Sequence, residues 1–313
     1  MRYVEAAGLR VSAIGLGTWQ FGSREWGYGH EYAHGVAPAL LRRAIDLGIT
    51  LIDTAEAYGP HTSEHIIGEA LAGLDPETRA TLTVATKFMP IAPVEPILDR
   101  QVRGSARRLG VEHLDLLYAH WPNPFVSPRR VMQSIRPLVE EGVVDRVAVS
   151  NYTLAQWQEA ERALHRPVVA NQVRFSLVSP QPAADLVPYA AAMDRLVVAY
   201  SPIGQGVLAR SASAAGDTGT GRSASPIRRM NPLFRGSAAE RLLPLQVAVR
   251  EIARAHDASA AQVALAWVIS HPNTVAIPGA RTVDQLAENA AAADLVLAAQ
   301  ELARLTEASE VFA

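Results

Sequence analysis

The chain has 313 residues, 49% of them hydrophobic and 19% charged, with 29 Lys+Arg against 31 Asp+Glu for a formal net charge of −2. This balance, without a long run of one sign, gives no electrostatic footprint for a phosphate backbone or an anionic membrane, so neither nucleic acid nor membrane is expected as a partner. A cysteine count of 0 excludes disulfides, thiolate nucleophiles, iron–sulfur clusters and Cys-ligated zinc.

From the first residue onward, MRYVEAAGLR lacks the apolar run of a signal peptide. No later segment offers the about 18 uninterrupted apolar residues of a membrane span, and a cytoplasmic location is expected. Residues 2–12 read as a β-hairpin. Short runs rich in Val and Ile follow at 13–16, 50–54, 82–86, 114–119, 144–150, 168–173, 196–200 and 274–277, eight predicted strands. Between them, stretches with helical period fall at 38–47, 63–74, 93–109, 127–141, 154–164, 183–193, 242–255 and 259–270, the last with Ser259 as N-cap. A final helix pair follows the eighth strand.

Eight strand–helix units in this length predict an α/β fold, a (β/α)8 TIM barrel over 1–313 as a single domain, with the hairpin closing its bottom. The segment 209–237 is rich in Gly, Ser and Ala and fits neither period; it reads as a long loop after strand 7, on the catalytic face. A doubly wound sheet uses the same alternation but needs a phosphate-binding turn after its first strand. Here Gly15-Leu16-Gly17 is followed by Gln20 where the third glycine belongs.

In a barrel, chemistry comes from the C-terminal ends of the strands. The polar residues there are Asp53, Lys87, His120, Ser150, Asn151, Gln172 and Tyr200, with Tyr58 just beyond Asp53. Each alone has a structural explanation: a turn cap, a solvated strand end, a surface aromatic, a hydrogen-bonded core histidine. Together they are more telling, because apolar strands that end in Lys or His place costly polar groups in a barrel mouth, where they need partners.

The segments LIDTAEAYG (51–59), VATKF (84–88), YAHWP (118–122), VAVSNY (147–152), NQVRFS (171–176), YSPIGQG (200–206) and IPGARTVDQLAEN (277–289) occur in an order that resembles the aldo-keto reductase superfamily. The resemblance covers nearly the whole chain. It implies hydride transfer between NADP(H) and the carbonyl carbon of an aldehyde or ketone, with Asp53, Tyr58, Lys87 and His120 as a catalytic tetrad. The physical logic is independent of it. Hydride added to a carbonyl carbon leaves charge on oxygen, so a proton donor must lie within reach of that oxygen. A tyrosine donates sluggishly at neutral pH, and a neighbouring ammonium is expected to lower its pKa. Lys87 would do this, Asp53 would hold the lysine, and His120 would orient the carbonyl oxygen.

The same resemblance implies a cofactor site. Ser150, Asn151 and Gln172 would hold the nicotinamide carboxamide, with Tyr200 stacked on the ring. Gly17, Thr18 and Trp19 follow the first strand, and Ser201, Ile203, Gly204 and Gly206 would present backbone N–H groups to the pyrophosphate. Glu288 and Asn289 would grip the adenine end, with Gly279, Arg281 and Gln285 near the ribose. Two departures from the family pattern stand out. Gly279 and Gln285 occupy positions that often carry Lys and Arg, leaving Arg281 as the cation for a 2′-phosphate. Arg210 takes the place of a Gly-Lys pair after the pyrophosphate loop. NADP is therefore favoured, with NAD as the alternative.

Two other motifs are refused. His61-Thr62-Ser63-Glu64-His65 fits a zinc pattern that needs both histidines inside a helix, and Pro60 and Ser63 put the helix start there. GDTGTGRS at 216–223 fits a phosphate loop but lacks the strand before it. Trp19, Trp26, Phe88, Trp121 and Phe125 are candidates for an apolar substrate pocket or for packing, and the Arg pairs 107–108, 129–130 and 228–229 read as solvated faces. The rival functions are a nucleotide-responsive binding protein of the same fold, as in potassium channel beta subunits, and a metal-assisted hydrolase, which needs more ligands than His120 and Asp53. The motifs name no particular carbonyl substrate and no oligomeric state.

Overall fold

Short runs of Leu, Ala and β-branched residues pair side by side, each with its next neighbour in sequence, which is the arrangement that right-handed strand–helix–strand connections produce. The computed structural model describes residues 1–22, 32–208 and 237–313. A hairpin of β1 (Tyr3–Ala6) and β2 (Leu9–Ser12) comes first. Eight parallel strands follow: β3 (Leu16–Gly17), β4 (Leu51–Asp53), β5 (Thr83–Phe88), β6 (Leu116–Ala119), β7 (Val147–Ser150), β8 (Val168–Arg174), β9 (Leu196–Tyr200) and β10 (Thr274–Ala276). Closure comes from the residues just before β3. Ile14 bridges Ala276 in parallel, Gly15 N donates to Ala276 O at 2.8 Å, and Ala276 N donates to Ala13 O at 2.9 Å. The sheet is a barrel.

The helices around it are α1 (Ala37–Asp46), α2 (Thr62–Ala72), α3 (Pro76–Thr81), α4 (Glu95–Leu109), α5 (Pro128–Glu140), α6 (Leu154–Leu164), α7 (Leu186–Ala192), α8 (Ser237–Ala255), α9 (Ala260–Ile269), α10 (Val283–Ala291) and α11 (Ala299–Ser309). Several starts are written locally. Thr153 with Gln156 and Ser259 with Gln262 form capping boxes. Two elements differ from the periodicity. The six-residue α3 buries no side chain and is set by Asp75, whose carboxylate accepts from Thr78 N at 2.8 Å. The stretch 183–193 divides into a 3₁₀ turn (Gln181–Ala183) and α7, which starts where Asp185 caps Leu186 N. Among the described residues no helix is long and apolar enough to cross a membrane.

Strand alternation divides the core in two. Ile52, Val84, Leu117, Val149 and Val197 pack outward against the helices. Leu51, Ala85, Leu116, Tyr118, Ala148, Ala170, Leu196, Val198 and Val275 fill the barrel interior, where Ala6, Leu9 and Val11 of the hairpin plug its base. With a period of two, the same inward parity reaches the strand ends at Asp53, Lys87, Ser150, Gln172 and Tyr200. The polar set is thus aimed inward by register.

Candidate active site

The strands deliver the tetrad candidates to one place. Lys87 lies inside β5, one residue beyond the predicted strand end, and is fully buried. Its ammonium has three N–H bonds and three acceptors: Asp53 Oδ1 at 2.6 Å, Thr54 O at 2.8 Å and Tyr58 Oη at 3.2 Å. The second oxygen of Asp53 accepts from Gln172 Nε2 at 2.6 Å. Tyr58 is carried by the turn after β4. Gly59 beside it has φ +56°, and a Cβ there would lie 2.8 Å from the carbonyl carbon of Gly22, so the turn packs directly on the loop after β3. The Tyr58 and His120 rings meet edge to face, centroids 5.9 Å apart, and His120 stacks on Trp121.

The electrostatics follow from burial and these contacts. Burial opposes the Lys87 ammonium, but the charge of Asp53 and then Tyr58 outweigh it, and the lysine is held above its ordinary value. Burial pushes the Asp53 carboxyl up, against Lys87 and Gln172. For Tyr58 the expectation of a lowered pKa is corrected. Tyr58 is half-buried, but desolvation of the phenol outweighs the pull of Lys87, and the hydroxyl lies above its ordinary value. His120 is pushed down to about 3 by burial and by the positive charge of Lys87, so it is neutral at physiological pH. Its Nδ1 is buried without a partner. An orphaned lone pair costs less than an orphaned N–H, which puts the proton on Nε2.

A second chain of hydrogen bonds meets the first at Gln172. Tyr200 Oη donates to Asn151 Oδ1 at 2.9 Å, Asn151 Nδ2 donates to Ser150 Oγ at 2.9 Å, and Ser150 Oγ donates to Gln172 O at 2.9 Å. Ser150, Asn151, Gln172 and Tyr200 are therefore brought together, with Gln172 turned to Asp53. Thr18 is a clasp: fully buried, it donates to Asp53 O and lies 2.8 Å from Ser63 Oγ on α2. Gly17 admits no side chain, since a Cβ would come within 2.7 Å of Ile277 O. After β9, Ser201 and Ile203 lead into a 3₁₀ turn (Gly204–Gly206) whose two glycines have φ +59° and +82°.

In the loop after β10, Gly279 is covered by the Gln20 amide, which donates to Ala280 O. Gln285 Oε1 accepts from Arg281 N at 3.0 Å, and buried Asn289 donates to Gly279 O at 3.4 Å, so both amides hold this loop against α10. Glu288 is partly exposed. Arg281 is exposed, and among the described residues its guanidinium has no hydrogen-bond or ion-pair partner. Arg210, Trp26, the segment 216–223 and the pair Arg228–Arg229 lie outside the described residues.

Other expectations are resolved or changed. Of the two readings for Phe88, packing holds, since it is buried in the outer core between barrel and helices. Trp19, Trp121 and Phe125 are exposed, at 43%, 47% and 94%. Arg108 is not solvated: it reaches Glu64 Oε2 at 2.6 Å, and fully buried Glu64 also accepts from Thr86 Oγ1 at 2.6 Å. That pair removes Glu64 from any zinc motif, and His61 precedes the helix as its N-cap. Among the described residues the one cluster spaced for a metal is His113, Asp115 and Asp145. It lies by the opposite strand ends, with Asp115 already held by Arg79 and Val84 N. Missed altogether was Tyr118, fully buried beneath the tetrad with no hydrogen-bond partner for its hydroxyl. Its signal was present: it lies two residues before His120 on an alternating strand.

Comparison with known proteins agrees with this architecture. The model of the aldo/keto reductase family matches residues 13–310. The chain is 47% identical over 313 residues to the uncharacterized oxidoreductase Rv2298 of Mycobacterium tuberculosis, covering 100% of this chain and 94% of the relative. It is 34% identical over 301 residues to methylglyoxal reductase YeaE of Escherichia coli, covering 96% and 92% respectively. An aldo/keto reductase of Klebsiella pneumoniae, solved in complex with NADP and acetate, superposes with a TM-score of 0.74 at 29% identity, covering 97% of this chain and 94% of the other.

Proposed function

The chain belongs to the aldo/keto reductase family, and on that premise we propose that it transfers hydride between NADP(H) and the carbonyl carbon of an aldehyde or ketone, with Tyr58 as proton donor. The observation that carries this reading is the buried Lys87 ammonium, joined at once to Asp53 and to the Tyr58 hydroxyl beside a neutral His120. The names of two relatives support it, one a methylglyoxal reductase and one holding NADP.

The residues present suit that cofactor. Amide and hydroxyl groups of Ser150, Asn151 and Gln172 cluster at adjacent strand ends, as a carboxamide requires. The left-handed glycines after β9 let backbone approach a pyrophosphate closely, and the guanidinium of Arg281 is available to a 2′-phosphate. These residues, with Tyr200 against the ring, would hold NADP. When bound, NADPH supplies the hydride.

The chain's own groups handle the oxygen. His120 donates from Nε2 to the carbonyl oxygen, a role for a neutral imidazole that needs no titration near neutral pH. Tyr58 keeps its proton at rest because burial disfavours the phenolate. As charge grows on the carbonyl oxygen the proton passes from Tyr58 Oη to it, and the phenolate left behind is stabilised by Lys87 at 3.2 Å. Asp53 keeps the lysine charged and fixed. In the oxidative direction Tyr58 accepts the proton from an alcohol.

The test is a panel of aldehydes, ketones and alcohols followed by nicotinamide absorbance, with NADPH and with NADH. Turnover of simple aldehydes with NADPH is expected. Tight nucleotide binding without turnover of any carbonyl would favour a binding protein of the same fold instead.

A further inference from the structure

Tyr118 poses a physical question that packing does not answer. On β6 it pairs in register with Lys87 of β5, and across the other edge with Ala148 of β7. Its ring fills the barrel interior with Leu116 and Val198, and Lys87 Nζ lies 5.8 Å from the ring centroid. A phenylalanine would fill that space equally well. The hydroxyl is fully buried and makes no hydrogen bond, an arrangement that disfavours the fold unless the group is used in another state.

What surrounds the hydroxyl indicates its use. Asp53 and Gln172 both act on it: the carboxylate charge raises the phenol, and the Gln172 amide, approaching the hydroxyl from beyond ordinary hydrogen-bond length, lowers it; these two groups bond each other at 2.6 Å. Burial and then the Asp53 charge hold the phenol well above its ordinary value, so Tyr118 is always a donor. Asp53 Oδ1 is taken by Lys87, and among the described residues Gln172 Nε2 is the one donor to Oδ2. Gln172 is also a candidate for the nicotinamide carboxamide, and although its NH₂ carries two N–H bonds, an amide drawn toward the cofactor holds Asp53 Oδ2 less closely. Resting on the function proposed above, we propose that Tyr118 is a positioning residue: its hydroxyl donates to Asp53 Oδ2 when the Gln172 amide turns toward the nicotinamide, so that Asp53 keeps its grip on Lys87 through the cycle.

The test is Tyr118→Phe, alone and combined with Gln172→Leu. The groups facing Asp53 are Lys87 from β5, Gln172 from β8, Tyr58 from the turn after β4 and Tyr118 from β6, with His120 beyond Tyr58 against its ring. Removing a donor from an ionised carboxylate raises its pKa, so the acid limb of kcat moves toward neutral. The expected shift is about one pH unit, the tenfold change in ionisation at the low end for a hydrogen bond to a charged group. The thermal midpoint is expected to hold or rise, since an orphaned hydroxyl is removed, and NADPH affinity to stay within about twofold. In the double variant Asp53 Oδ2 loses both donors, so kcat falls further than the product of the single effects. A second readout needs no turnover: carbon NMR titration of the Asp53 carboxyl in the NADP⁺ complex, assigned with Asp53→Asn, has a higher midpoint in Tyr118→Phe than in the parent. Equal midpoints and multiplicative effects on kcat would overturn the role of Tyr118. Failure of the parent protein to reduce any carbonyl would overturn the function proposed above, and the NMR titration would still decide Tyr118.

Discussion

Lys87→Met asks the most of the buried network. The methionine keeps most of the volume of the lysine stem but leaves Asp53 Oδ1 and Thr54 O without their donor, and Tyr58 without its cation. Asp53 is 2% exposed, so its carboxylate loses its counter-charge where water cannot replace it. Removing one partner of a buried ion pair costs about 3–5 kcal/mol. With an unfolding entropy of about 2.1 cal/mol/K per residue, a chain of 313 residues converts this to a fall in Tm of about 5–8 °C. The pH dependence carries a sign. Burial already raises the folded-state pKa of Asp53, and without Lys87 it rises further, so the folded variant binds a proton that the unfolded chain, near the ordinary aspartate value of about 4, does not. A raised folded pKa contributes stability at low pH that is lost as pH rises through it. The deficit of the variant is therefore greatest near pH 8 and shrinks toward about pH 4.5. Denaturant titrations of both proteins across that range measure it. Equal stability at pH 8, or a deficit that does not change with pH, would refute the buried pair as described.

Two further outcomes follow from single groups. His120 titrates near 3 when folded, against an ordinary 6.5, so the unfolded chain binds the extra proton and stability falls as pH drops below about 6.5, by up to about 1.4 kcal/mol per pH unit. His120→Gln removes that slope of one proton, which denaturation at about pH 6.5, 5 and 4 detects; an unchanged slope would show that the imidazole is not buried neutral. Arg281→Ala weakens NADPH binding about tenfold or more while sparing NADH, because a charge-assisted hydrogen bond to the 2′-phosphate contributes about 1.5–3 kcal/mol, with the lower end expected for an exposed group. The preference also declines with added salt, since the group is exposed. Equal losses for both nucleotides in fluorescence titrations would remove Arg281 from the site.

Alternation of short apolar runs with helical stretches was enough for the barrel, because the eight parallel strands are buried on both faces almost throughout. The ends of elements were less legible. Strand β5 runs through Lys87 to Phe88, past the predicted end at 86, since a polar residue reads as a strand end even when its partner waits inside the barrel. Helix α3 carries no buried face, so hydrophobic periodicity has nothing to detect there. Phe88 was left open between pocket and packing, and Arg108 was placed on a solvated face, for different reasons. An aromatic at a strand end alternates outward as easily as inward, and an Arg–Arg pair on a helix hides which member points at the core, where Glu64 holds Arg108. The bond between Gln172 and Asp53 spans 119 positions of sequence, and only the closed sheet brings the two together. The balance at Tyr58 also needed coordinates: a neighbouring ammonium is legible in the motif, but the desolvation that outweighs it is a property of the assembled mouth.

The most direct measurement of the proposed chemistry compares the parent protein with Tyr58→Phe under single turnover, with NADPH labelled by deuterium at the transferring position and a simple aldehyde as acceptor. Only a hydroxyl is lost, and Lys87 keeps Asp53 Oδ1 and Thr54 O, so the fold and NADPH affinity should be retained. The parent is expected to place the deuterium on the alcohol carbon, and Tyr58→Phe to do so about 10²- to 10⁴-fold more slowly, the usual loss for a general acid. Transfer at the parental rate by Tyr58→Phe, or an alcohol without the label, would contradict hydride transfer with Tyr58 as the proton donor.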